Sequence, residues 1–275
     1  MGLRVNTNVI SLTAQRYLSQ VTGRLEGNYQ RLASGLRIAT ASDDPAGLGI
    51  SERMRAQLTS LAQAGRNGQD GISLVQTAEG ALNEVDNNLI RMRELAIEAA
   101  NGTLNTGDRL TLDEEFSALI LEIDRIADST TFNGVHLLDG ATGSINIQIG
   151  TEAGEIITIN LVDTTDTGLG LDGATFDLTT ISNASAALDV IDAAITSVTS
   201  TRGDLGAAQN RLQSAVRSVA NAGQNLAAAE SRIRDVDVAL ETADLTRNTI
   251  MQQAAVSVLA QANLQPQIAL ALLQS

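Results

Sequence analysis

The sequence predicts a mainly α protein: a long antiparallel helical hairpin packed as a coiled-coil bundle, with one small β-hairpin in mid-chain. Three observations predict it. Aliphatic residues recur through most of the 275 positions with a period of about 3.5 residues. Only two prolines occur, Pro45 and Pro266, where average usage would supply roughly fourteen. Aromatics are 2% and Trp is absent, so the core has to be narrow seams between helices rather than a broad layer of large side chains.

The first element is a helix. Ala14, Leu18, Val21, Leu25, Asn28 and Leu32 alternate four- and three-residue steps, which puts them on one helix face. The stretch 34–49 breaks the pattern with Ser34-Gly35, Ser42-Asp43-Asp44-Pro45 and Gly47-Leu48-Gly49. Ser42 or Asp43 is the expected cap of the next helix, with Pro45 in its first turn and Asp44 at the positive end of its dipole. That second helix covers roughly 46–100. Met54, Leu58, Leu61, Gly65, Gly68, Ile72 and Val75 form its stripe. After a register slip, Ala78, Leu82, Val85, Leu89, Met92, Ala96 and Ala99 continue it. Such a slip changes the local winding of a coiled coil. From Met54 to Ala99 the rise is about 70 Å, and Gly102 is the expected C′ residue. A third helix follows near 109–128, with Leu112, Phe116, Leu119, Ile123 and Ile126 as its stripe. Thr111 and Glu114 have the spacing of a capping box.

The middle changes character. SINIQI (144–149) and EIITINLV (155–162) alternate around Thr151-Glu152-Ala153-Gly154, which predicts a β-hairpin. Residues 163–185, rich in Thr, Gly, Asp and Ser, read as loop with one short strand at most. A heptad then governs 188–240. Its d positions are Ile191, Val198, Leu205, Leu212, Val219, Leu226, Ile233 and Leu240. The a positions (Leu188, Ile195, Arg202, Gln209, Val216, Gly223, Glu230, Asp237) are half polar. That asymmetry fits a multi-helix bundle better than a two-stranded zipper. Leu245, Ile250, Met251, Val256, Val258 and Leu259 continue the helical pattern before Pro266 and an apolar tail.

The order of elements is nearly a palindrome. It predicts that the ends pair with each other, as do the inner long helices. Residues 1–44 with 236–275 form one helical pair, and 45–235 form a rod-like unit with the hairpin near 144–162 and the surface loop 163–185. The ends carry too few large apolar residues to offset the entropy of ordering them alone. They are expected to be disordered in the monomer and to fold against neighbouring copies. The 34–49 stretch then joins a segment that folds in company to one that folds alone.

Charge and composition exclude several functions. Net charge is −14, opposite to the basic stripe a nucleic-acid partner requires. All eighteen basic residues are Arg, whose planar fork suits interface ion pairs. The absence of Cys removes disulfides, thiolate metal sites and thiol catalysis. No apolar run is long enough to span or insert into a membrane, and MGLRVNTNVISL lacks the apolar core of a cleaved secretion signal.

Motifs that suggest chemistry fail on context. GLGLDG (168–173) fits a dinucleotide fingerprint literally, but no strand precedes it and no helix follows to receive a phosphate. His136 is the only histidine and nothing sets a nucleophile beside it. Asp235, Asp237, Glu241 and Asp244, near Arg232, Arg234 and Arg247, read as a solvated or inter-subunit ion-pair face rather than a metal site. No catalytic residue, cofactor or metal is expected.

Long stretches resemble bacterial flagellin, the subunit of the flagellar filament. They include NTNVISLTAQ, RLASGLRI, SDDPAGLGIS, GRNGQDGISLVQTAEGALNEVDNNLIRMRELA and TFNGVHLL in the first half. LGAAQNRL, NLAAAESRIRDVDVALE and VLAQANLQPQ follow in the second. The resemblance implies paired terminal helices forming an inner filament tube, inner helices forming a shell around it, and a short form without large outer domains. It implies unfolded export through the flagellum's own channel, without signal cleavage, to an extracellular flagellum. It also implies an export chaperone at about 240–275, filament cap and hook-junction proteins as partners, and a Toll-like receptor. For that receptor the family motif matches Arg91, Arg93, Glu94 and Leu95, with Glu115, beside Glu114, as the Glu on the following helix.

The expected function is a structural subunit that polymerises into a motility filament, with folding of the termini coupled to assembly. Leu18, Val21, Leu25, Leu32, Val258, Leu259, Ile268 and Leu272 are the expected polymerisation seam. The alternatives are a hook–filament junction-type relative or a signalling coiled coil; the mid-chain hairpin argues against the second.

Overall fold

The structure is a computed structural model that describes residues 7–173 and 176–274, with side chains described through Leu264. Six helices and four short strands follow in the order α1 (Val9–Ser34), α2 (Pro45–Ala99), α3 (Thr106–Ser129), β1 (Thr131–Phe132), β2 (Val135–His136), β3 (Ser144–Gln148), β4 (Ile156–Asn160), α4 (Asp166–Leu169), α5 (Ile181–Arg234) and α6 (Val238–Gln274). The chain divides into two compact units, residues 57–224 and residues 1–56 with 225–275. The mainly α architecture with a small antiparallel hairpin is as the sequence predicts.

Unit 57–224 holds the continuous core. Val75, Ala78, Leu82, Val85, Leu89, Met92, Ala96 and Ala99 of α2 are essentially inaccessible, so the register slip after Val75 keeps the stripe facing inward. Phe116, Ile123 and Ala127 of α3 close one side, and the Phe116 ring meets Phe176 at a centroid distance of 5.1 Å. On α5 the d positions Ile191, Val198, Leu205 and Leu212 are buried. The second edge of the seam is different from the one the heptad predicts. Ala194, Thr201 and Ala208 are buried, while the a-position Arg202 turns outward to bond Asp86 at 3.0 Å and Asn83 at 3.3 Å. Small side chains let the helices approach closely, and the polar a positions line the rim.

The α2–α3 turn is closed by a device that periodicity does not reveal. Gly102 is not in the left-handed conformation expected of a C′ residue. Instead the buried Arg109 guanidinium donates to the carbonyls of Ala99 and Asn101, each at 2.9 Å. The Ala99 carbonyl is one of the acceptors a helix end leaves unpaired, and that of Asn101 lies in the turn, where it also accepts from Leu104 N. The cap of α3 is also displaced from Thr111–Glu114: Asn105 accepts from Asp108 N and Asp108 returns the bond to Asn105 N.

β3 and β4 pair from Ser144–Asn160 to Gln148–Ile156, as predicted. The hairpin seats on α2 where glycines make room. A Cβ on Gly68 would lie 2.5 Å from Val216 and 3.2 Å from Ile149, and one on Gly71 would lie 3.1 Å from Ile147. Asn133 and Gly134 both take positive φ in the two-residue turn between β1 and β2, the type favoured by strand twist. The described part of 163–185 contains the one-turn helix α4 and no strand, and it is not loop to its end, since α5 begins at Ile181. Thr180 accepts from Asn183 N to cap α5.

The other unit is a helical pair with a joint. α1 packs antiparallel on α6: Asn8 Nδ2 donates to Ala262 O and Ser11 Oγ to Asn263, both at 2.7 Å. The predicted heptad run to Leu240 is not one helix. α5 ends at Arg234, and Asp237 caps α6 by accepting from Ala239 N and Leu240 N.

Candidate assembly surfaces

The joint explains both interruptions. Gly35, at φ 72°, ends α1 with its N–H on Arg31 O, a conformation glycine adopts at no steric cost. The chain then pairs with the break between α5 and α6. Leu36 bridges Asp235, Arg37 N donates to Arg234 O at 2.7 Å, and Val236 N donates to Gly35 O at 3.0 Å. Ile38 is buried beneath it. The two carboxylates divide the labour differently from expectation. Asp44 caps α2, accepting from Ala46 N and Gly47 N. Asp43 folds back to accept from the Thr40 backbone and hydroxyl and from Ala39 N, and these bonds hold its carboxyl below the usual range. Arg234 reaches Glu52 at 2.8 Å.

Along the α1–α6 pair, Val21 and Leu25 are buried, Leu18, Leu32 and Leu259 are half-buried, and Val258 is exposed. Ile268 and Leu272 lie on α6 outside the described side chains. Ile10, Tyr17 and Val21 of α1 and Met251, Ala255 and Val258 of α6 line an open apolar groove of about 370 Å³. The acidic run around α6 does not form one solvated face. Glu241 is buried against α1, accepting from Asn28 Nδ2 at 2.5 Å with Arg31 3.9 Å away. Asp244 pairs with Arg247 at 2.6 Å. Among the described residues no group of acidic or histidine side chains is arranged to hold a metal. His136 is exposed, with Nδ1 2.9 Å from Asp128 O.

The Arg-x-Arg-Glu-Leu run lies on α2. Arg91 bonds Glu115 of α3 and Glu94, which hold its guanidinium above its ordinary range. Arg93 bonds Asp192 of α5 at 2.7 Å and is shifted the same way by it. Leu95 is 1% exposed. The structure thus brings Arg91, Glu94 and Glu115 into one exposed cluster, sends Arg93 to the opposite neighbour, and places Leu95 in the core. The cross-helix partners Asp192 and Asp86 have no local sequence signal, lying 99 and 116 positions from their arginines.

No helix among the described residues is long and apolar enough to cross a membrane. The model of the bacterial flagellin N-terminal helical region matches residues 5–142, and that of the C-terminal helical region matches residues 188–273. Flagellin of Halalkalibacterium halodurans is 46% identical over 98% of this chain and 99% of its own. Flagellin of Bacillus subtilis is 42% identical over 99% of this chain and all of its own. Among solved structures, Bacillus cereus flagellin superposes with a TM-score of 0.52 at 36% identity, over 60% of this chain and 94% of that one. The matches run through both helical regions and end to end along the relatives, which disfavours a junction-type relative or a signalling coiled coil. The chain belongs to the bacterial flagellin family, in a short form, and is a structural subunit of the flagellar filament.

Proposed function

We propose that the two termini of this subunit fold only as it joins the filament, and that the helical pair α1–α6 is their assembled conformation. One observation carries this reading: large apolar side chains stand in water on faces of α6 that α1 does not cover. Val238, Leu240, Ile250, Val256, Val258 and Leu264 are each at least half exposed on it, as are Val9, Leu12, Tyr17 and Tyr29 on α1. Side chains of this size call for further cover, and α1 can reach only one side of α6. Soluble monomers rarely leave contiguous apolar area of this kind in water. Neighbouring copies supply the remaining cover, along a seam that includes Leu18, Val21, Leu25, Leu32, Val258, Leu259, Ile268 and Leu272. In this reading residues 1–44 and 236–275 are the inner filament core and 45–235 the rod around it.

The same reading places the assembled chain outside the cell after unfolded export without signal cleavage. An export chaperone covers the apolar helix at 240–275 beforehand, and cap and hook-junction proteins bound the polymer. Arg91, Glu94 and Glu115 form the exposed part of a face for a Toll-like receptor, and Arg93 adjoins it. Leu95 contributes by fixing α2 in the core. In this reading the chain's role is structural and involves no catalytic step.

Removal of the last 20 residues tests the coupling. The expected result is an unchanged unfolding transition for unit 57–224 and no filaments on seeding, scored by negative-stain microscopy. Normal filaments from the truncated chain would count against the proposal.

A further inference from the structure

We propose that a buried polar layer, Asn28 with Glu241 and Asn248, fixes the register in which the two terminal helices pair. The inference rests on the reading that this pair is the assembling one.

The α1 seam runs in heptad steps from Ala14 to Leu32. The α6 seam keeps the same steps from Glu241 through Leu245, Asn248, Ala255 and Leu259 to Ala262. Both are built mainly of Ala, Val and Leu; on α6 Gln252 is half-buried, and one level is both polar and fully buried. There Asn28, Glu241 and Asn248 are 7%, 7% and 8% exposed. Asn28 Nδ2 donates to Glu241 Oε1 at 2.5 Å, and Asn248 Nδ2 donates to Asn28 Oδ1 at 2.8 Å. The Arg31 guanidinium stands 3.9 Å from the same carboxylate.

An aliphatic heptad seam repeats every seven residues, so a shift by one heptad rebuilds nearly the same knobs and holes. The joint between Leu36 and Asp235 resists such a shift at one end, but nothing aliphatic along the seam does. The polar layer does. A one-heptad slip in one direction sets Glu241 against Val21 and Leu25. In the other direction it moves Asn248 into Glu241's place beside Asn28, sets Ala255 in Asn248's place, and carries Glu241 past the end of α1. Each slip breaks the three-residue bond set and leaves a buried polar group short of a partner, which is disfavoured. An aliphatic layer would hold the pair more tightly but would not choose among registers. At the far end, Ser11 and Asn263 also bond, but in solvent, where the choice is weak.

The chain has no cysteine, so pairs of introduced cysteines read the register cleanly. Ser11→Cys with Asn263→Cys reports the observed register, and Ser11→Cys with Val256→Cys reports a one-heptad slip. Each pair is placed in the otherwise unaltered chain, in the triple variant Asn28→Leu/Glu241→Leu/Asn248→Leu, and in Glu241→Gln. After oxidation of sedimented filaments, intrachain disulfide is separated from interchain by gel mobility. If the triple variant does not sediment by itself, it is co-assembled with an excess of the unaltered, cysteine-free chain and its intrachain disulfides are read in the mixed filaments. In the unaltered chain and in Glu241→Gln, which keeps the bond from Asn28, the 11–263 disulfide should exceed 11–256 by roughly tenfold or more, equivalent to about 1.4 kcal/mol. In the triple variant the two should become comparable. A triple variant that still forms only 11–263 would overturn the proposal. So would one that forms neither, because the layer would then hold the pair together rather than choose its register. Filament yield of the unaltered double-cysteine chains tests the assembly reading separately.

Discussion

Replacing Gly68 by Ala sets two effects of similar size against each other in one helix. Ala is favoured over Gly in a helix interior by about 1 kcal/mol. At Gly68 the new methyl would lie 2.5 Å from Val216 Cγ2 and 3.2 Å from Ile149 Cδ1, well inside normal carbon contact. Val216 cannot swing away at low cost, since a β-branched side chain in a helix has essentially one χ1. Ile149 is buried and fixed by the hairpin. Overpacking of this kind costs about 1–3 kcal/mol, so the net change ranges from near zero to about 2 kcal/mol destabilising. Gly80 lies on the same helix with nothing within 4 Å of its would-be Cβ. Gly80→Ala should therefore stabilise by about 1 kcal/mol. Urea unfolding followed by far-UV circular dichroism measures both, with the slopes required to match. If Gly68→Ala is as stable as Gly80→Ala, Val216 of α5 and Ile149 of the hairpin do not press on α2 as described and the reasoning fails.

Three further outcomes are expected. Arg109→Met should lower the stability of unit 57–224 by about 1–3 kcal/mol by stranding the Ala99 carbonyl and removing one of the two bonds to that of Asn101, seen as a lower urea midpoint. Asp44→Ala should cost about 1 kcal/mol and raise hydrogen exchange at Ala46 and Gly47, whose amides it holds. Burial pushes the Asp177 carboxyl up, but bonds from Thr179 and Asn183 outweigh it and hold it below its ordinary value. With the folded value depressed, its contribution is complete above the unfolded value of about 3.9 and fades as pH falls through the folded one. Asp177→Asn should flatten the stability profile in that acid window, measured by thermal melts from neutral to acid pH.

Most of the helices were legible because burial in a long helix leaves a period. The α2 stripe from Ile72 to Ala99, slip included, is buried as the spacing implies. The hairpin was legible from alternation and a Gly-containing turn. What periodicity could not reveal was which edge of a seam carries small residues. Ala194, Thr201 and Ala208 look neutral in sequence, and only the closeness of the neighbouring helices makes them interior. Caps were misplaced for a related reason. Asn105, Asp108, Asp43 and Asp44 sit among residues of equal capping ability, and the choice depends on where the chain turns. Arg109 has no sequence signature of its role, because its partners are two backbone carbonyls.

The terminal pair is the harder case, and its difficulty is informative. Read by itself, Glu241 belongs to an acidic run and promises a solvated face. Its bonded partner Asn28 lies 213 positions away, so no local pattern could have placed it indoors. On the remaining faces of α6 the sequence offers Val238, Leu240, Ile250, Val256 and Val258, which a single partner helix leaves in water. On the seam that faces α1, the buried level of Asn28, Glu241 and Asn248 joins the Leu36–Asp235 pairing in telling one alignment from another. The other faces of α6 specify that further neighbours exist without specifying where. That division of information suits a subunit whose internal pairing has to be unique while its outer surface is completed by copies of itself.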